Sequence, residues 1–343
     1  MVIGLFLLCL GFGGLPWVKD YLEQGAMLTG TVKRAFLIVL GTFVVSYISM
    51  SFESLLFALE KYFLRNLLVI LIQFFLTLYI LLFFKSGSDL VDLSWIYFVF
   101  TALQSLLVIL FVNYDFRVVQ ILKNFHLNML REIRGWSFQY FLIGLAAVII
   151  YKTDFIVIGL FVSAEAVAIY GISFKLIDQA FRLNWNLAEM LYPRISRLHS
   201  EGQVDAAIKL RKTLLGLTLA GATLTALVLY GMGPKFVELW VGKQNLLEDS
   251  VFQLLIATMF IGAFAHNCGV FINGVGWQKP VVYVCGIEAI LNLAISLLLV
   301  RSLGYFGVVI GTFVAHLLTT AWFNPYLALR YGSKKSLPGE ISR

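Results

Sequence analysis

Ten stretches of roughly 20 apolar residues run through this chain, at about 1–18, 35–59, 63–84, 91–113, 136–161, 165–192, 211–232, 250–274, 281–301 and 305–330. In hydrocarbon no water can bond a free backbone N–H or C=O, so a segment of this kind crosses a bilayer only as a helix. The expected fold class is therefore all-α, a polytopic membrane helix bundle. The chain is 60% hydrophobic and 13% charged with mean hydropathy +0.88, against about 25% charged in a typical soluble domain. The polar stretches are all too short for a separate soluble domain. Val2 to Leu15 follows Met1 without a basic region ahead of it, which reads as a transmembrane helix and not as a cleaved leader.

Lys and Arg are held on the cytoplasmic side of a membrane, so their distribution over alternate loops sets orientation. Sixteen fall on one side, among them Lys61, Arg131, Arg134, Arg194, Arg197, Lys279 and Lys334, and seven on the other, among them Lys85, Lys235 and Arg301. The expectation is a multi-pass protein of the plasma (inner) membrane with its C-terminal tail in the cytoplasm. Trp17, Trp95, Trp136, Trp240 and Trp277 fall near span ends, where an amphipathic ring prefers the headgroup zone. The formal charge of +7 sits in short loops and not on one solvated face, so nucleic acid is not an expected partner. Cys9, Cys268 and Cys285 lack disulfide or zinc spacing, and no metal or other cofactor is expected.

The longest link, about 114–135, divides the chain into two lobes: 1–134 with four spans, and 135–343 with six spans and a basic tail. Glu60-Lys61-Tyr62 and Trp277-Gln278-Lys279-Pro280 form similar turns in the two lobes, an echo that any Lys-bearing cytoplasmic turn would also give.

Ionisable groups at the bilayer centre cost about 2.5–3.5 kcal/mol each and so face a protein interior or a wet cavity. Lys175, Asp178, Arg182, Asn186 and Glu189 follow one another at spacings of three and four, which places them within roughly an 80° arc of the sixth span. Lys152 and Asp154 lie in the fifth span, and Glu288, Asn292 and Ser296 recur every fourth residue of the ninth. His266, Asn267, Asn273 and His316 are further candidates, although neither histidine has a second ligand at metal spacing. The expected site is a hydrated cavity lined by Lys152, Asp154, Lys175, Asp178, Arg182, Asn186, Glu288 and Asn292, its cations open to a negatively charged head group. The alternative is internal neutralisation, since Lys175 and Asp178 are i,i+3 and Asp178 and Arg182 are i,i+4. Glu53 has no visible partner. Gly274, Gly276, Gly304, Gly307 and Gly311 permit close backbone approach, Pro325 is placed to kink the last span, and Pro193 to close the sixth.

Several short segments resemble the polysaccharide flippases, including the O-antigen flippases, of the multidrug/oligosaccharidyl-lipid/polysaccharide exporter superfamily. They are Asp154 to Gly159, Ala164 to Tyr170, Tyr192 to Leu198, Asn273 to Gly276 with Lys279, Asn292, and Gly304 to Gly307 with Gly311-Thr312, spanning about 150–315. Ala168 stands where the family often has glycine. The resemblance implies a two-lobed bundle, commonly of twelve helices, so a first lobe with four is expected to lack two. It also implies alternating access and a polyprenyl-diphosphate-linked oligosaccharide moved from the cytoplasmic to the outer leaflet. Partners would be that lipid-linked sugar, the bilayer and other membrane proteins of polysaccharide assembly.

A cation-coupled multidrug antiporter of the same superfamily is the alternative, with Asp154 or Asp178 binding cations. A membrane enzyme of polysaccharide assembly is disfavoured, because the outside loops are short and no DxD, HExxH or nucleophile elbow occurs.

Overall fold

A computed structural model of the chain describes residues 30–58, 61–85, 87–116 and 127–331. The expected first span and most of the C-terminal tail lie outside them. Among the described residues there are ten α-helices, one 3-10 turn at Lys243–Asn245 and no strand. The helices are α1 Gly30–Ala58, α2 Tyr62–Phe83, α3 Leu90–Phe116, α4 Leu127–Phe161, α5 Ala164–Ser200, α6 Val204–Val241, α7 Asp249–Gly274, α8 Gln278–Leu303, α9 Tyr305–Leu318 and α10 Thr320–Arg330. Eight spans are long and apolar enough to cross a membrane, with α9 and α10 together making one of them. The protein is a multi-pass membrane helix bundle. α5, expected as a span, is not among the eight because its charged row lowers its hydropathy.

The chain divides into two compact units between Leu127 and Asn128, inside the link that the sequence marks. In the first unit α1 and α2 both pack on α3, around Leu56, Leu68, Val108 and Val112. Glu53 is partnered there after all: Arg65 lies 3.4 Å from Oε2, and Gln104 donates to Oε1 at 3.2 Å. Both partners stand on other helices, so spacing along α1 gave no sign of them.

In the second unit α7 is the axis. In its most apolar window 67% of residues are buried, against 28% for α4 and for α8. α5, α6, α9 and α10 all pack on it. Interhelical polar contacts tie this core, as Asn267 donates to Asn184 O at 3.0 Å and to Thr218 Oγ1 at 2.6 Å. Outward-facing Leu239 and Leu298, 88% and 77% exposed, suit a lipid solvent.

Three local features place the site. Ser163 caps α5 by accepting from Ala166 N at 3.0 Å, which starts the helix that carries the charged row. Pro193 does not close α5; the helix continues to Ser200, held on either side of the proline by buried Ala188 and Ile195 in one apolar cluster. Gly304, at φ 58°, turns the chain between α8 and α9, and the two helices then approach so closely that a Cβ on Gly307 would meet Leu299 C at 2.6 Å. The last span is interrupted at Thr319 (φ −130°, ψ −95°), ahead of Pro325, which lies inside α10.

Candidate functional site

The turn at Gly304 runs α8 and α9 antiparallel, and their facing polar residues pair rung by rung. Ser296 Oγ donates to Val308 O at 3.4 Å, Asn292 Nδ2 donates to Thr312 Oγ1 at 2.7 Å, and Glu288 Oε1 lies 2.6 Å from His316 Nδ1. Residues four apart share one face of a helix, so a row at 288, 292 and 296 meets a row at 308, 312 and 316. Glu288, Asn292, Ser296, Thr312 and His316 are each 5% exposed or less.

α4 closes the seam from a third side with two residues one turn apart. Asp154 Oδ2 accepts from Tyr170 of α5 at 3.0 Å and from Thr312 at 3.3 Å. Asp154 Oδ1 and Asn292 Oδ1 are buried without a hydrogen-bond partner. A buried carboxylate with one oxygen unmet is costly, and the cost is removed by a proton on Asp154 or by a cation bound among the carboxylate, amide and hydroxyl oxygens. Such an all-oxygen set suits a small hard cation. Among the described residues no group of three or more His, Cys, Asp or Glu is placed to hold a metal ion.

The second α4 residue is Tyr151, whose hydroxyl lies 3.3 Å from His316 Nε2. Below it, Thr319 Oγ1 lies 2.7 Å from Glu288 Oε2 and within reach of Ala315 O at 2.5 Å. The hydroxyl has one hydrogen for two acceptors and so serves one of them at a time. Glu288, His316 and Tyr151 border a cavity of about 110 Å³ together with Gly262 of α7 and Cys285 of α8. The interruption of the last span therefore falls on a residue in contact with the Glu288 carboxyl.

Among the described residues the charged row of α5 makes no hydrogen bond to this seam, although Glu189 lies 3.7 Å from His266, which lines the same cavity as Glu288 and His316. Asp178 is buried and receives Arg182 Nε at 3.1 Å, while the Arg182 side chain is 49% exposed. Lys175 and Asn186 are exposed on the same helix, and the exposed Lys152 of α4 places Nζ 5.7 Å from the centre of the Phe174 ring. Thus Asp154, Glu288 and Asn292 meet in the buried seam, whereas Lys152, Lys175, Arg182 and Asn186 are exposed on the second unit and Asp178 is buried beside Arg182. Tyr151 and Thr319 join the site without having been singled out in the sequence, whereas Tyr170 and Thr312 stood there only within the segments that resemble the flippases. The polar pair at 312 and 316, matching 292 and 288, is the signal that marks two of its rungs; the third, at Val308, is a backbone carbonyl and leaves none.

No family model matches the sequence, and no curated protein matches it. Solved structures do match the fold. A mutant of the Vibrio cholerae MATE transporter VcmN is 16% identical, with TM-score 0.71, over 95% of this chain and 78% of that one. An outward-facing multidrug resistance MATE family transporter of the MOP superfamily is 14% identical, with TM-score 0.72, over 96% and 76%. A MATE in complex with MaL6 is 13% identical, with TM-score 0.70, over 96% and 78%. The fold is MATE-like and two-lobed, and its structural neighbours are transporters and not enzymes.

Proposed function

We propose that this chain is a cation-coupled membrane carrier that works by alternating access, with the coupling cation held at Asp154 between α4, α8 and α9. The observation that carries this reading is the pair of buried, unpartnered oxygens, Asp154 Oδ1 and Asn292 Oδ1, on a seam otherwise closed by hydrogen bonds. An ion that enters such a seam changes its charge by one unit, and the conformation that holds the ion is favoured by the difference in affinity between states. The second rung, Glu288 with His316, offers a proton store beside the helix interruption at Thr319.

Two substrate classes fit. The structural neighbours favour an organic cation of the multidrug kind, because one of them is described as a multidrug resistance transporter. A polyprenyl-diphosphate-linked oligosaccharide, carried from the cytoplasmic to the outer leaflet for surface polysaccharide assembly, is supported by the resemblance over 150–315 and by the exposed Lys152, Lys175 and Arg182. The proposed orientation puts the Lys- and Arg-rich loops and the C-terminus in the cytoplasm of a cell with an inner membrane.

The test is flux in proteoliposomes of the full chain, under an imposed proton or sodium gradient, with ethidium and with a fluorescent short-chain polyprenyl-diphosphate sugar. The carrier reading expects gradient-driven movement of one of them. Movement of neither under either gradient contradicts it.

A further inference from the structure

Where α4, α5 and the α7–α8 turn meet, at the Lys- and Arg-rich end of the second unit, the surface holds a recess of about 490 Å³ that touches none of the seam residues. A second hollow of about 370 Å³ adjoins it across Trp136, Gly276, Trp277 and Gln278. Both volumes fall within the range of small-ligand sites. Two tryptophans, Trp136 and Trp277, and two tyrosines, Tyr140 and Tyr192, supply the aromatic surface.

The polar groups between them are wired together. The hydroxyls of Tyr140 and Tyr192 lie 2.6 Å apart, and Gln278, only 2% exposed, donates to Tyr140 Oη at 3.3 Å and to Asn273 O at 3.3 Å. Asn273 Oδ1 is buried at the same place without a partner. Gly276 has φ 84°, and a Cβ on it would reach Trp136 Cη2 at 3.6 Å, so the indole edge comes up to the turn. No carboxylate lines either hollow.

Rings at a membrane boundary often serve only as headgroup anchors. An anchor needs an outward ring, not a concave floor with amide and hydroxyl groups held at fixed distances. A cationic ligand would find no counter-charge here, only Lys279 in the smaller hollow and His199 in the larger, and a hydrocarbon ligand would leave Asn273 Oδ1 unanswered. An uncharged ring with apolar faces and hydroxyl edges satisfies both kinds of group, with faces on the aromatic rings and edges on Asn273, Gln278 and the tyrosine hydroxyls.

We infer that this recess is a binding site for a sugar ring, outside the coupling seam; it rests on the oligosaccharide reading of the substrate. The ring comes either from a lipid-linked saccharide or from a free one. The experiment is equilibrium binding to the full chain, purified in a detergent without a sugar headgroup. The probes are farnesyl diphosphate, farnesyl-diphosphate-linked glucose, galactose and N-acetylglucosamine, and the matching free methyl glycosides.

At least one sugar-bearing lipid is expected to bind about tenfold tighter than farnesyl diphosphate, and Trp136→Ala to erase that difference. Trp136 is 52% exposed, so its truncation spares the core; Tyr140→Phe, which removes only a hydroxyl, is expected to weaken sugar binding in the same direction. Competition by the free glycoside identifies a site that takes the ring alone, and a lack of it a site that needs the lipid as well. Equal binding of sugar-bearing and sugar-free lipids, or a sugar preference unchanged in both variants, overturns the inference while leaving the lipid-carrier reading standing. Failure of every diphosphate lipid to bind while ethidium does removes the oligosaccharide reading, and the inference with it.

Discussion

Glu288 Oε1 and His316 Nδ1 lie 2.6 Å apart between α8 and α9, with both side chains 4% exposed or less. At that distance one proton bridges the two groups. Removing one member of a buried pair strands the other and costs about 3–5 kcal/mol. His316→Ala is therefore expected to lower thermal stability in detergent by that order. The double variant E288L/H316L, which strands neither group, is expected to recover most of the loss. A double variant no more stable than the single one would show that packing and not the pair holds the rung.

The rungs form only because α8 and α9 touch along backbone. A Cβ on Gly311 would stand 2.8 Å from Ser296 N. Overpacking of this kind typically costs about 1–3 kcal/mol. Gly311→Val is expected to lose that much in a melt and to reduce cation-dependent flux, while Gly286→Ala in α8, whose added Cβ meets nothing within 4 Å, is expected to leave both unchanged.

Lys175 and Arg182 differ in what their removal exposes. Arg182→Ala leaves Asp178 buried without its 3.1 Å partner, whereas Lys175 is exposed and its loss alters charge alone. If the row meets a negatively charged substrate, both alanine variants lower transport of the diphosphate lipid without preventing membrane insertion. Arg182→Ala is expected also to lower the melting temperature. Unchanged lipid flux in both variants removes the row from the substrate path.

Periodicity along one helix was readable throughout. Hydropathy placed most of the spans, the i,i+4 spacing disclosed Asp178 with Arg182, and the four-residue repeat disclosed the 288–292–296 row. Pairing between helices was not readable. Glu53 looked isolated because Arg65 and Gln104 stand on α2 and α3, and His316 lacked a ligand at metal spacing because its partner, Glu288, comes from the neighbouring helix and brings a hydrogen bond, not a metal. Thr312, Tyr151 and Tyr170 are ordinary residues of apolar helices until the turn at Gly304 and the cap at Ser163 bring three helices around Asp154. Pro193 misled because an interior proline, although it costs a helix about 3 kcal/mol, need not end one whose flanking residues are packed, as Ala188 and Ile195 are here.

Asp154→Asn keeps the size of the side chain and its contacts to Tyr170 and Thr312 while removing the charge that would bind a cation. The decisive measurement is flux of ethidium and of the fluorescent diphosphate sugar into proteoliposomes of wild type and Asp154→Asn, with and without an imposed proton or sodium gradient. The wild type is predicted to respond to one gradient, and the variant to bind substrate at near-normal affinity yet move it at the same slow rate whichever gradient is applied. Full gradient-driven flux in Asp154→Asn would contradict the assignment of the coupling site to the seam.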